Sequence, residues 1–380
     1  MDGWSTMEAR KKPLMAISAI GDISLFLLFF LSGWHWFLSL VVAEALMWML
    51  RLIWLSPPML LFILRRLLHM IPIILSVVAI GFFLIYLAPG DVFSEMSMNP
   101  DIRPEDLERF RSNFGLDDPW YVQFFKYVWN ALHGDFGFSQ NFKAPVFTLV
   151  GQRALNTLLL AMISLVAAWL FSIPAGIIAA THQYRWQDQV ISVFAFFGLS
   201  IPNFFLAFLL LYIVAVTGSW LPIGGMFSVD VNSMGSVERL WDLARHMLIP
   251  VFVIATSITA SLTRIMRANM LEIMSQQYIT TAQAKGLTRN KVVYKHALRN
   301  AINPMITILG IQLGNILGGA ALVESVTAWP GLGKLILAAL LSQDLYLVVG
   351  SLIYGVGLVV VGNLVADILL ALVDPRVKIG

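Results

Sequence analysis

The sequence predicts an all-α protein that crosses a membrane several times, and three observations predict it. Of 380 residues, 58% are hydrophobic and only 12% are charged. A soluble domain carries roughly 25% charge, so this chain has too little polar surface to cover its apolar volume in water. Mean hydropathy is +0.79. Next, unbroken apolar runs such as LLLAMISLVAAWLF at 158–171 recur at bilayer length, where a β-barrel would interrupt them with lumen-facing polar residues. Finally, the charge is segregated. Residues 264–300 hold seven basic side chains against one acid, Glu272, a balance of +6, although the whole chain carries only +3. Residues 89–145 hold nine acids and five bases, a balance of −4. Composition argues against a soluble enzyme, a disordered chain and a nucleic-acid binder. With no cysteine, disulfides, thiolate metal sites and a cysteine nucleophile are absent.

A bilayer core takes about 20 apolar residues as helix. Such windows fall near 14–33, 36–55, 62–88, 155–180, 190–217, 246–266, 305–325 and 347–373. The last six are core spans; the first two make an N-terminal hairpin. Basic short loops face the cytosol. Placing 264–300 there puts Arg65 and Arg66 inside, 89–145 outside and the tail from Asp374 inside, and the six core spans alternate without conflict. Residues 1–58 admit two readings. Arg10, Lys11 and Lys12 precede one apolar run, Trp34-His35-Trp36 marks an interfacial turn and Arg51 ends a second run, which fits a hairpin with both ends inside. The other reading is an extension before a start at Met59. A secretory signal fits less well, because the first run is long and contains Asp22.

Two soluble segments are patterned. In the external one, Pro104 opens a short acidic helix ended by Gly115, and Pro119 starts a second helix through about Leu132. That helix holds Trp120, Tyr121, Phe124, Phe125, Tyr127 and Trp129, an aromatic density suited to headgroup level. The basic segment QQYITTAQAKGLTRNKVVYKHALRNAINPM reads as a helix to about Lys285, a turn at Gly286, and a second helix from Thr288 to about Asn300. Gly286 suits a left-handed position after the first helix and Thr288 an N-cap. Val293, Ala297 and Ala301 make a narrow apolar stripe. A basic helix pair invites a DNA-binding reading, but both ends enter the membrane within a few residues, so it cannot project into a major groove.

The segments TAQAKGL and HALRNAINP resemble the cytoplasmic EAA loop of permease subunits in bacterial ABC importers, in the form of the dipeptide, oligopeptide and nickel branch. FILRRLLHMIPIILSV, LAPGD, FGLDDPWYVQF, HGDFGFS, GLSIPNFFLAF, LVESVTAWPGLGKL and DPRVK resemble stretches of the same subunit in the same order. The likeness runs from about Met59 to Lys378. It implies the type I importer (MetI-like) transmembrane fold. Residues 59–145 would form the first core span and external helical segment, 146–374 the permease domain with a coupling loop at about 267–304, and 375–380 a cytosolic tail. Thr280, Thr281 and Ala282 stand where the loop's Glu-Ala-Ala is expected, so no role needing a carboxylate there carries over.

The resemblance further implies that Ala282, Ala284, Lys285, Gly286, Leu287 and Arg289 couple the chain to an ATPase. Small alanines let a helix approach closely, and Lys285 and Arg289 sit at its rim. It implies two ATPase subunits that hold ATP and Mg, a second homologous permease, and an extracytoplasmic solute-binding protein, in a bacterial cytoplasmic membrane with both termini cytosolic. No cofactor is expected on this chain. It has no GxxxxGK[ST] phosphate loop, and its six histidines show no i, i+4 pair for a metal.

Candidates for lining the pathway are the polar residues within spans: Asn156, Ser200, Asn203, Gln312, Asn315, Asn363 and Asp367. Interhelical hydrogen bonding is their alternative role. Pro72, Pro174, Pro202 and Pro250 interrupt spans, and Gly310, Gly314 and Gly318 would allow close helix approach. The function expected is passage of di- or oligopeptides, with nickel or another small solute as the alternative within the branch. An ion-coupled secondary transporter would need buried ionisable residues in its spans, and few acids are available there.

Overall fold

The computed structural model describes residues 57–87, 118–306 apart from 219, and 321–373, with a few isolated residues between. The N-terminal hairpin, most of the first external helix and the centre of the 305–325 span lie outside the described residues. From Leu64 to Ile379 the chain forms one unit.

Four long apolar helices organise it. These are α1 (Pro57–Leu87), α3 (Val146–Thr181), α6 (Ser236–Met274) and α11 (Leu345–Val373). Each holds at least 20 residues of membrane-spanning character. Pro72, Pro174 and Pro250 stand inside continuous helices. Their outer surfaces stay apolar: Val166, Leu170 and Phe171 on α3 are all more than half exposed. That inversion of the water-soluble pattern is what a hydrocarbon solvent requires.

The window read as one span at 190–217 is two helices, α4 (Trp186–Ser200) and α5 (Asn203–Thr217), bent by 100°. Pro202 causes the break. It has no N–H to continue the ladder and drives Ile201 out of the helical region, to φ −87° and ψ 121°. The pair still traverses the bundle. Asp188 near its start meets Arg267 on α6, Asn203 at the bend meets Ser257, and Arg245 donates to the carbonyl of Trp220 just beyond its end.

Contacts sort the helix ends into two poles. At one, α2 (Trp120–Leu132) packs its inner face on α1 and α11: Tyr127 lies 5.4 Å from the Phe82 ring and stacks on Tyr346 at 6.0 Å. A two-residue antiparallel ladder of β1 (Phe138–Ser139) and β2 (Ala144–Pro145) precedes α3. Buried Asp344 accepts from Ser139 Oγ at 2.6 Å and from the backbone N–H of Leu347 at 3.2 Å, capping α11. At the other pole lie α7 (Gln277–Ala284) and α8, a continuous helix made of Arg289–Lys291, a π-helical stretch Val292–Ala297, and Leu298–Ala301.

Among the described residues, glycines allow close helix contacts; the expected 310/314/318 repeat lies outside them. A Cβ on Gly176 of α3 would sit 2.6 Å from Met266 Cβ on α6. One on Gly198 of α4 would sit 3.0 Å from Ala260 Cβ.

The short helices α9 (Ala321–Val326) and α10 (Leu332–Leu341) complete the bundle. Fully buried Glu324 accepts from Thr157 Oγ1 at 2.6 Å and from the backbone N–H of Lys334 at 3.1 Å, so a carboxylate seats the N-terminus of α10 against α3.

Candidate functional site: the basic helical pair

Gly286 adopts φ +76°, the left-handed conformation that its sequence position calls for. Its N–H donates to the carbonyl of Gln283 at 2.9 Å, and the Leu287 N–H to that of Ala282 at 3.4 Å. Those two bonds are the Schellman arrangement, which ends α7 and turns the chain into α8. Thr288 takes the extended N-cap conformation, φ −61° and ψ 145°, but its hydroxyl makes no capping bond. The first turn of α8 is instead held from outside: Arg289 donates to the carbonyl of Thr181, the last residue of α3, at 2.8 Å. A cation on an unsatisfied helix-terminal carbonyl suits the negative end of the α3 dipole.

Three further contacts make the pair one body with the bundle. Val293, Ala297 and Ala301 are buried, as the stripe predicts, together with Val292. Asn269 of α6 donates to the Ala301 carbonyl at 3.1 Å. Asn300 donates to the Tyr278 hydroxyl at 2.9 Å, tying α8 to α7.

The six residues proposed for coupling divide. Ala282 is buried, together with Ile279, against the chain's own core. Its small side chain serves close packing within the subunit. Ala284, Lys285, Gly286, Leu287 and Arg289 form an exposed edge. Nothing lies within 4 Å of a Cβ placed on Gly286, so the edge is open there, while its positive φ would strain any side chain put in its place.

Among the residues proposed for the pathway, Ser200 and Asn203 flank the α4–α5 bend. Exposed Ser200 donates to its own helix at the Phe196 carbonyl, 2.8 Å, and Asn203 to Ser257 Oγ at 3.3 Å. Gln312 and Asn363 are half-buried and stand apart from that bend in sequence. Asn315 and the Asp367 side chain lie outside the described residues. Asn156 is engaged in structure: it donates to the Pro330 carbonyl at 2.8 Å and its own carbonyl accepts from the Trp329 indole at 3.2 Å.

Sequence reasoning missed a two-point ion pair beside the basic pair. Arg267 Nε and Nη2 donate to the two carboxylate oxygens of Asp188 at 2.6 and 2.7 Å, the fork geometry of a strong charge-assisted contact. The Tyr184 N–H adds a third bond at 3.0 Å. The available signal was that Asp188 is the lone acid between 182 and 229. Among the described residues no group of three or more His, Asp or Glu side chains gathers as a metal site would require.

The family model for "Binding-protein-dependent transport system inner membrane component" matches residues 172–379, and the model of its N-terminal part matches 59–163. Curated relatives align over nearly their whole length. The oligopeptide transport system permease protein AppB of Bacillus subtilis is 42% identical over 83% of this chain and 99% of its own. The dipeptide transport system permease protein DppB of Escherichia coli K12 is 33% identical over 84% and 99%. The glutathione transport system permease protein GsiC of the same organism is 35% identical over 84% and 99%. Among solved structures, a chain of the MetNI methionine ABC transporter aligns at 17% identity with a TM-score of 0.46, covering 60% of this chain and 97% of that one. By the extent of the family-model matches and of the curated relatives, the chain belongs to the family of binding-protein-dependent transport system inner membrane components.

Proposed function

We propose that the chain is one permease subunit of an ATP-driven importer of di- or oligopeptides. It pairs with a second permease of similar fold to form the pathway and receives substrate from an extracytoplasmic binding protein. Two ATPase subunits hold ATP and Mg, and one of them docks on the α7–α8 pair. The basic pole then faces the cytosol, the α2 pole faces outward, and both termini are cytosolic in a bacterial inner membrane. The peptide substrate rests on the likeness to AppB and DppB.

The observation that carries the mechanism is the anchoring of the pair. Arg289 on Thr181, Asn269 on Ala301 and the buried stripe join the exposed 284–287 edge to α3 and α6 without a flexible link. A push on that edge is therefore delivered to two spans at once. The chain is a membrane component rather than an enzyme, and ATP chemistry belongs to its partners.

The test is uptake by the complete complex in proteoliposomes, with ATP inside and its binding protein outside. A radiolabelled di- or tripeptide should accumulate while nickel ion does not. Accumulation of nickel without peptide would assign the chain to the other solute class of its branch.

A further inference from the structure

The helix α8 carries a face that the bundle does not use. Val292, Val293, Ala297 and Ala301 are buried along its length. Lys291, Lys295 and Arg299, spaced i, i+4 and i+8, are exposed. The π-helical stretch Val292–Ala297, with its i to i+5 bonds, keeps residues four apart close to one line. Among the described residues none of the three cations makes an ion pair with a carboxylate, and the segment 264–300 holds Glu272 as its single acid. Tyr294, 58% exposed, stands between Lys291 and Lys295 in sequence. The helix is therefore amphipathic, with three cations and a phenol ring on its outer face.

Contacts fix the level of that face. α3 and α6 run in the same direction, because the α4–α5 pair returns the chain between them, and they meet where Met266 packs on Gly176. From that level Thr181, which accepts from Arg289 at the start of α8, is five residues onward, about 7.5 Å at 1.5 Å per residue. Asn269, which donates to Ala301 at the end of α8, is three residues onward, about 4.5 Å. A helix about 20 Å long is thus tied at both ends to points of similar depth, and it runs across the ends of the spans. Those points lie at the border of the apolar windows. Thr181 directly follows 155–180, Asn269 is three residues past 246–266, and the 305–325 window opens four residues after Ala301. The polar layer on each side of a hydrocarbon core is about 5–8 Å thick, so α8 occupies the headgroup layer.

We propose that the Lys291, Lys295 and Arg299 face of α8 is a binding surface for anionic phospholipid headgroups, such as that of phosphatidylglycerol. Headgroup phosphates are the anions present at this level, and Lys and Arg reach them with their charged ends while their stems cover apolar surface. Tyr294 adds an amphipathic ring of the kind enriched there. What the surface reads is the net charge of the headgroup, so it selects a charged lipid over a zwitterionic one and does not distinguish acyl chains. The 284–287 edge proposed for the ATPase lies on the preceding helix and turn, which leaves the two surfaces separate in sequence. Such a surface works whatever solute the subunit passes.

The experiment places the complete complex in nanodiscs of phosphatidylcholine and phosphatidylglycerol, with a trace of a diazirine-bearing analogue of one lipid or the other, and maps the adducts by mass spectrometry. In wild type the phosphatidylglycerol analogue should label 289–301 at least about fivefold more than the phosphatidylcholine analogue, the scale of one basic side chain at an anionic surface. The two analogues should label α2 alike. Raised salt should bring the ratio at 289–301 down to that at α2. A variant with Lys291→Gln, Lys295→Gln and Arg299→Gln should lose the preference, and one with Lys291→Arg, Lys295→Arg and Arg299→Lys should keep it. Equal labelling of 289–301 by both lipids in wild type, a preference indifferent to salt, or a preference retained by the Gln variant overturns the proposal. If an acidic protein surface covers α8 instead, neither lipid labels it in the assembled complex and the Gln variant sheds its ATPase subunits in detergent, which overturns the proposal as well. Where the Gln variant fails to assemble, the labelling ratio of wild type and its response to salt decide.

Discussion

Gly286 concentrates two demands on one position: a left-handed turn and an unobstructed surface. Replacing it with valine forces a β-branched residue to φ +76°, a conformation that costs L residues about 1–2 kcal/mol, and puts bulk on the open edge. Gly286→Val should assemble normally yet lose most substrate-stimulated ATP hydrolysis and uptake together; full stimulated ATPase activity in that variant would remove the edge from the coupling route. Asp188 makes a different prediction. Asp188→Asn leaves Arg267 without its counter-charge in a partly buried place, and should destabilise the subunit by about 1–3 kcal/mol. Arg267→Gln added to it should recover part of that loss, seen as a rise in thermal midpoint of the purified complex. Absence of recovery would mean that the two side chains act independently. Gly176→Leu tests packing alone. With Met266 2.6 Å from the added Cβ, overpacking should cost about 1–3 kcal/mol and lower the midpoint more than the same change at Gly151, whose Cβ meets nothing within 4 Å.

Among the elements, the basic pair is the one on which the proposed transmission depends. Its rigidity is held by few contacts, so Arg289→Ala should speed amide hydrogen exchange across 289–301 while leaving α2 unchanged. Equal exchange in wild type and variant would show that the buried stripe alone holds the pair. Much of this element was legible beforehand. Gly286, the alanine-valine stripe and the break between two helices all follow from local rules that act within a turn of chain. What local rules could not reach was long-range pairing. Arg289 reads as a rim charge until Thr181, over a hundred residues away, is brought to it. Thr288 reads as a cap, but its hydroxyl makes no capping bond and Arg289 anchors that turn. The 190–217 window looked like a single span because its hydropathy is continuous; Pro202 marked a kink, yet only the fold sets the bend at 100°. Asp188 and Glu324 were hidden for a related reason. A buried acid is rare enough that its partner, and not its own surroundings in sequence, reveals it.

Within the unit from Leu64 to Ile379, the described residues form an apolar waist between two unlike poles, one aromatic and the other basic. The outward stripe Tyr121, Phe125, Trp129 and Leu132 on α2 suits the headgroup layer, while Lys285, Lys291, Lys295 and Arg299 crowd the opposite pole and stay exposed. The chain contains no cysteine, so each introduced thiol is unique. Trp129→Cys should react with a membrane-impermeant maleimide in intact spheroplasts, and Lys295→Cys only after the membrane is opened. The reverse pattern would invert the orientation and place the α7–α8 pair outside, out of reach of any ATPase.

The proposed coupling turns on one contact, between the exposed edge of α7 and an ATPase subunit. Its most direct test places a photo-reactive amino acid at Ala284 or Leu287 in the complete complex and identifies the adduct by mass spectrometry. An adduct with an ATPase subunit is expected from both positions and none from Trp129. Adducts with an ATPase from Trp129, or none from 284 and 287 in an assembled and active complex, would contradict it.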